Sequence, residues 1–214
     1  MEHKTVSLAD QIFTQLENDI ITGVYKIGEI FTEMSFSEKL GVSRTPIREA
    51  IRRLEQERLV DVTTKGIIIK GISKKDISDM YEMRLRIEGL ASRWAASTIS
   101  EEGKKQLMDI VELQEFYNAK KDVDNIKNMD SKFHEVVYSN CGSTVLSDVL
   151  HQLHKKLTKC RKASVANSER AFRSTEEHRE ILDAILDGNG ELAEKLTIEH
   201  IKNAKENVEK TLVE

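Results

Sequence analysis

The sequence Gly41-Val-Ser-Arg-Thr-Pro-Ile-Arg-Glu-Ala-Ile-Arg-Arg-Leu-Glu55 predicts a helix with one apolar face and one basic face. Thr45 is a good N-cap residue, and Pro46 suits the first helical position because its missing N–H has no partner to lose there. The positions with core-facing spacing are Ile47, Ala50, Ile51 and Leu54. The opposite face carries Thr45, Arg48 and Arg52, and Arg44 lies in the turn before the helix. Such a helix is typical of DNA recognition in the major groove, although an ordinary solvated basic helix is the alternative.

The charge distribution supports a local nucleic-acid footprint. The chain has 214 residues, 39% apolar content, one proline and a net charge of −4, which favours one or two mainly helical domains. Residues 39–70 hold eight basic and four acidic side chains, so this window is positive in an acidic protein. No apolar run or signal pattern predicts a membrane partner. The spacing of Cys141 and Cys160 fits neither a zinc knuckle nor a disulfide framework, which favours a reducing cytoplasm.

Residues 1–72 are predicted to form a winged helix-turn-helix domain. Helices are expected over residues 7–22 and 33–40, and the recognition helix should run to about residue 58. Two β-rich runs, 59–63 and 67–71, flank Thr64-Lys65-Gly66, where glycine can supply the turn of a hairpin, or wing.

Residues 73–214 are predicted to form an all-α bundle of six helices. Helical periodicity extends over 74–98, 101–120, 123–140, 144–165, 168–187 and 190–212, with polar or glycine-containing breaks between the segments. The expected fold class is therefore mainly α, with a winged N-terminal domain followed by a six-helix bundle.

Four side chains on core-facing positions of three C-terminal helices could converge on a metal ion. Asp130 and His134 are four residues apart on the third helix, His178 lies on the fifth, and His200 lies on the sixth. Imidazole and carboxylate ligands suit a divalent transition metal, with zinc expected and nickel or manganese as alternatives. The competing interpretation is purely structural: the histidines would be hydrogen-bonded core residues, and Asp130 would cap a helix or pair with another side chain.

Arg84 is a cation on an apolar helix face. One interpretation is an internal ion pair with Glu88, four residues further along. The other is a guanidinium that binds the carboxylate of a ligand through its fork. His151 and His154 have no obvious acidic companion and are left outside the predicted site.

These residues resemble the GntR family of bacterial transcription regulators, and the C-terminal half is similar to its FadR-type subgroup with an FCD effector domain. The matching parts are Gly41–Ile51, Leu59-Val60, Met80–Arg84 with Ile87-Glu88, Asp130–His134, Glu177-His178 and His200. Six C-terminal helices resemble the VanR-type branch of this subgroup.

The resemblance implies roles for particular residues. It implies that Arg44, Thr45 and Arg48 contact operator DNA and that Gly66 enters the minor groove at the wing tip. Lys65 stands where relatives more commonly have Arg or His, and Arg52 is expected to contact phosphates. The resemblance also implies a metal site at Asp130, His134, His178 and His200, which small carboxylic acids often complete.

We therefore expect a homodimeric, ligand-responsive regulator, most often a repressor in such families, on double-stranded DNA with a pseudo-palindromic operator. A small organic acid would bridge the metal and Arg84. Two alternatives remain at this point: a metal-dependent hydrolase, and a DNA-binding protein without an effector.

Overall fold

A computed structural model divides the chain into two compact units, Met1–Ser73 and Lys74–Glu214. The structure describes residues 6–163 and 168–213, without the side chains of 159–163, 168 and 211–213. The described residues form nine helices and one small sheet, which confirms the predicted mainly α fold. Cys141 is buried and free, whereas the side chain of Cys160 lies outside the described part.

The N-terminal unit packs three helices against a sheet. The helices are α1 (Leu8–Ile21), α2 (Glu33–Leu40) and α3 (Arg44–Gln56). The four predicted core-facing residues of α3 are all buried, in one cluster with apolar residues of α1, α2 and the sheet. Because this face is buried, the opposite face of α3 is exposed at the surface. The short turn before α3 uses Gly41 in the left-handed conformation, with φ +66°.

Helix α3 begins two residues earlier than predicted. The prediction that Thr45 is the N-cap was wrong, because Ser43 takes the extended N-cap conformation and Arg44 is the first helical residue. Pro46 is therefore in the third position. A proline is accommodated there because the first N–H groups of a helix have no intrahelical acceptor.

The predicted wing is present and gains a third strand. Strands β2 (Val60–Thr63) and β3 (Gly66–Ile69) form the expected antiparallel hairpin, and the two-residue strand β1 (Ile30–Phe31) pairs with the other side of β3. No periodicity could signal a strand as short as β1.

Gly66 lies at the base of the wing turn rather than at its tip. It pairs with Thr63, so Thr64 and Lys65 make the turn itself. Its φ is +127°, and a Cβ at this position would lie 2.6 Å from the carbonyl oxygen of Phe31. The close pairing of β1 with β3 is thus a packing reason for glycine here.

The C-terminal unit contains six helices whose bounds are close to the predicted ones. They are α4 (Lys74–Thr98), α5 (Glu101–Ala119), α6 (Val123–Ser139), α7 (Thr144–Ala163), α8 (Ser168–Leu186) and α9 (Gly190–Val213). The N-cap side chains of Ser100 and Asp122 accept hydrogen bonds from backbone N–H groups three residues on, which sets the starts of α5 and α6. Within the described residues, no helix has the length and apolar content that crossing a bilayer requires.

Candidate metal centre and nucleic-acid interface

The structure brings together the four predicted metal ligands in the core of the C-terminal unit. Asp130 and His134 come from α6, His178 from α8 and His200 from α9, and one ligand atom of each lies within 4.8 Å of the others. The three imidazoles are buried, and Asp130 is partly buried. His178 also stacks on Phe133, with ring centroids 4.1 Å apart, which restricts the orientation of its ring.

Each of the three imidazoles is held through Nδ1 by an oxygen atom outside the cluster. The contacts are His134 Nδ1 to Glu88 Oε1 at 2.8 Å, His178 Nδ1 to Gln114 Oε1 at 2.9 Å, and His200 Nδ1 to Glu177 Oε2 at 2.7 Å. A carboxylate or amide oxygen can only accept a hydrogen bond, so in neutral imidazoles the proton is on Nδ1. In all three rings Nε2 is then unprotonated and carries a free lone pair.

These lone pairs face a common point. Nε2 of His134 and Nε2 of His200 are 3.2 Å apart, so in the neutral rings two lone pairs face each other. Nε2 of His178 is buried without a hydrogen-bond partner and lies 3.7 Å from Oδ1 of Asp130. An unpartnered buried nitrogen and two opposed lone pairs are unfavourable unless a cation lies between them.

The electrostatics keep two of the rings in the ligand form. Burial, together with the neighbouring His200, holds the pKa of His178 well below its ordinary value, although Asp130 acts in the other direction. Burial also lowers the pKa of His200 against the raising effect of its hydrogen bond to Glu177. Both imidazoles are therefore neutral at pH 7, as metal ligation requires.

The donor set fits one divalent transition-metal ion. Bonds of about 2.1 Å from nitrogen and oxygen ligands would place neighbouring ligand atoms about 3–4 Å apart, which is compatible with the observed spread. Three imidazole nitrogens and one carboxylate leave positions open when the metal prefers more than four ligands.

Glu88 joins this cluster to Arg84 through a buried network. Its carboxylate accepts hydrogen bonds from Nε and Nη2 of Arg84 at 2.5 and 2.9 Å, and from the Tyr138 hydroxyl at 2.7 Å, in addition to His134. Burial alone would raise the pKa of Glu88, but Arg84 and His134 outweigh it and hold that pKa well below the ordinary range. The internal Arg84–Glu88 pair, one of the two interpretations from sequence, is thus present.

Glu177, the carboxylate that holds His200, is itself fixed by one arginine and one amide. Glu177 accepts from Nη2 of Arg170 at 2.6 Å and from Nδ2 of Asn203 at 2.9 Å, besides His200. Burial raises the pKa of Glu177, but the hydrogen bond from His200 and the charge of Arg170 outweigh this effect. The pKa is therefore below its ordinary value, and the group is ionised at neutral pH.

Sequence reasoning left His154 outside the site, and the structure places it beside the cluster. Its ring centroid lies 5.3 Å from that of His134 and 5.9 Å from that of Tyr138, and the side chain is buried. Its position four residues after Leu150, a core residue, could have indicated this. His151, by contrast, turns back to its own helix, with Nδ1 2.8 Å from the carbonyl oxygen of Ser147.

The predicted DNA-contacting residues of α3 share one exposed face. Arg44, Thr45, Arg48 and Arg52 are all exposed, as is Lys65 in the wing turn, while Gly66 is half-buried. Sequence reasoning missed Glu33 at the start of α2, whose carboxylate pairs with both Arg44 and Arg48. Residues Glu33 and Arg48 are fifteen apart, so no local spacing signalled this contact.

Known proteins match this chain over nearly its whole length. The chain is 29% identical over 207 residues to the uncharacterized HTH-type transcriptional regulator YdhC of Bacillus subtilis, covering 95% of this chain and 92% of that protein. It is 24% identical over 205 residues to the HTH-type transcriptional repressor RspR of Escherichia coli, covering 95% and 90%. The solved structure of E. coli McbR/YncC has the same fold, with a TM-score of 0.73, 20% identity, and coverage of 96% and 99%.

Two family models divide the chain as the structure does. The model described as "Bacterial regulatory proteins, gntR family" matches residues 8–67, and the FCD domain matches residues 79–203. The family and these relatives are transcription regulators, which removes the hydrolase alternative. The chain belongs to the GntR family of bacterial transcription regulators and carries an FCD effector domain.

Proposed function

We propose that the protein is a cytoplasmic, homodimeric repressor that binds a pseudo-palindromic operator and responds to a small carboxylic acid at a metal-containing effector site. The observation that carries this proposal is the convergence of three anchored imidazoles and one carboxylate in the domain attached to a DNA-binding unit. The similarity to RspR, a transcriptional repressor, supports the proposed sign of regulation.

In this proposal Arg44, Thr45 and Arg48 contact the operator in the major groove. All three lie in the first turns of α3, the end of a recognition helix that reaches base edges. Arg52 lies one turn further along and contacts phosphates. The wing enters the minor groove, where the side chain of Lys65 extends from the turn toward the DNA. Gly66 allows the close pairing at the base of that turn.

Asp130, His134, His178 and His200 would hold the metal, with zinc expected and nickel or manganese as alternatives. When bound, the metal supplies a Lewis-acidic centre with open positions for oxygen ligands. The surrounding residues Glu88, Gln114 and Glu177 keep the three rings oriented, a contribution that commonly changes metal affinity by 10- to 100-fold.

Arg84 would bind the carboxylate of the effector while it remains paired with Glu88. The pair uses two N–H groups of the guanidinium, and arginine carries five in total, so further donors remain for an anion. Because Glu88 also holds His134, an acid that contacts Arg84 and the metal would act on both ends of one hydrogen-bond network.

The acid can change operator affinity only by binding one state of the protein more tightly than the other. A dimer places two recognition helices and two wings on the two half-sites of an operator, so such a preference would act on both half-sites together.

The DNA assignment predicts that Arg48→Ala weakens binding to the operator by roughly 1–3 kcal/mol, because a base-reading arginine is lost. Arg44→Ala should also weaken it. Arg52→Ala is the matched control on the same helix and should have a smaller effect. Fluorescence anisotropy with an operator duplex at one fixed salt concentration measures all three. Wild-type affinity in both Arg44→Ala and Arg48→Ala would contradict the assignment.

The metal assignment predicts about one equivalent of transition metal per chain in purified protein. His200→Ala should lose most of it, whereas His151→Ala, which removes a histidine bonded to its own helix, should retain it. Metal content should also fall on acidification, but only at a pH below the ordinary histidine value of about 6.5, because burial lowers the pKa values of His178 and His200 and protons compete for these nitrogens only there. Elemental analysis after dialysis measures these values. A protein that takes up none of zinc, nickel or manganese would overturn the assignment.

The effector assignment predicts that some members of a panel of two- to six-carbon carboxylic acids raise the melting temperature of the metal-loaded protein. Arg84→Lys should reduce that increase, because lysine keeps the charge beside Glu88 but has no fork. Its metal content should stay near the wild-type value. Arg86→Lys, an exposed substitution on the same helix, is the control.

The variant Arg84→Ala does not by itself separate the two interpretations of Arg84, whereas the comparison of Arg84→Lys with the wild type does. Arg84→Ala leaves Glu88 buried without its cation, so it should lower stability whether or not an acid binds. If Arg84→Lys responds to acids like the wild type, or if no acid in the panel changes the melting temperature, Arg84 serves only as the partner of Glu88.

A further inference from the structure

Glu33 contacts both arginines that begin the exposed face of α3. Its Oε1 accepts from Nε of Arg48 at 2.9 Å, and its Oε2 accepts from Nη2 of Arg48 at 2.9 Å and from Nη2 of Arg44 at 3.1 Å. The carboxylate is the less exposed partner: its side chain is 25% exposed, against 61% for Arg44 and 53% for Arg48.

The backbone that carries Glu33 is well fixed. Thr32 and Ser35 form a reciprocal capping box at the start of α2, with both hydrogen bonds at 3.0 Å. Glu33 is the first residue of that helix, so its carboxylate extends from a rigid position rather than from a loop. Hydrogen bonding from Arg48 outweighs burial and lowers the pKa of Glu33 to about 2, so the carboxylate is ionised at any pH at which DNA is bound.

The geometry at Arg48 leaves one edge of its guanidinium available. Glu33 takes the side edge, formed by Nε and Nη2. The end edge, formed by Nη1 and the second N–H of Nη2, is the fork with which an arginine can bind O6 and N7 of a guanine. The carboxylate therefore fixes the plane of the guanidinium without using this fork.

We propose that Glu33 is a positioning residue for sequence readout: it orients Arg48 for bidentate recognition of a guanine and opposes the placement of Arg48 against a phosphate. The proposal rests on the operator-reading role of Arg48 given under the proposed function. An oriented arginine loses less conformational entropy on binding a base. A fixed negative charge beside it disfavours the phosphate backbone, which supplies most of the non-specific affinity.

An ordinary surface ion pair would have a different consequence. Exposed pairs contribute little to stability, and an acid that merely competes with DNA would weaken operator and unrelated DNA alike. A positioning acid instead changes the ratio of the two affinities. Base preference at one position is thus the property that separates the two roles.

The experiment uses the full-length protein and duplexes selected from a randomised library by the wild type. Affinities for the selected duplex and for a shuffled duplex are measured at one salt concentration, and the selection is repeated with each variant. Glu33→Gln removes the charge and one acceptor at nearly constant shape. Glu38→Gln removes the same charge from an exposed position of the same helix and is the matched control.

We expect Glu33→Gln to lower the ratio of selected to shuffled affinity by about tenfold, within the range for one bidentate base contact. It should strengthen binding to the shuffled duplex and lose base preference at the same position of each half-site as Arg48→Ala. Glu38→Gln should keep the ratio within about twofold. The double variant Glu33→Gln/Arg48→Ala should be no less selective than Arg48→Ala, since both changes act through one contact.

Two results would overturn the inference and are distinguishable. If Arg48→Ala lowers the ratio but Glu33→Gln does not, Arg48 reads DNA without help from Glu33. If Arg48→Ala itself leaves the ratio unchanged, the reading role of Arg48 fails, and the positioning role of Glu33 fails with it.

Discussion

The centre of the helical unit depends on three hydrogen bonds that hold histidine Nδ1 atoms to oxygen acceptors. Because Glu88, Gln114 and Glu177 accept these protons, the three Nε2 lone pairs are fixed and directed inward before any ligand arrives. Burial then prevents the rings at His178 and His200 from relieving their mutual repulsion by protonation. A cluster of one carboxylate and three imidazole lone pairs is stabilised by a cation, which is why we propose a metal there.

A carboxylate that contacts two other functional side chains at once is found in both units. In the C-terminal unit Glu88 binds Arg84 and His134, so the arginine and the proposed metal ligand share one acceptor. In the N-terminal unit Glu33 binds Arg44 and Arg48 in a comparable way at the surface. The first is fully buried, so removing one of its partners would be strongly destabilising, whereas the second is partly exposed and contributes little to stability.

Helical periodicity was sufficient to predict the six C-terminal helices and the faces that carry the four proposed ligands, because burial repeats every three to four residues. It could not predict the residues that anchor the imidazoles, since spacing specifies a face but neither a rotamer nor a contact between helices. His154 was missed for this reason, although its spacing from Leu150 pointed inward. The two-residue strand β1 and the N-cap at Ser43 were missed because each depends on local geometry rather than on a repeating pattern.

The most direct test of the metal centre is anomalous diffraction at the zinc absorption edge, from crystals of protein supplied with one equivalent of zinc per chain. The account predicts an anomalous peak within bonding distance, about 2.1 Å, of Nε2 of His134, His178 and His200, with the Asp130 carboxylate as the fourth protein ligand. A well-ordered cluster without such a peak, or with a peak only elsewhere in the molecule, would contradict it.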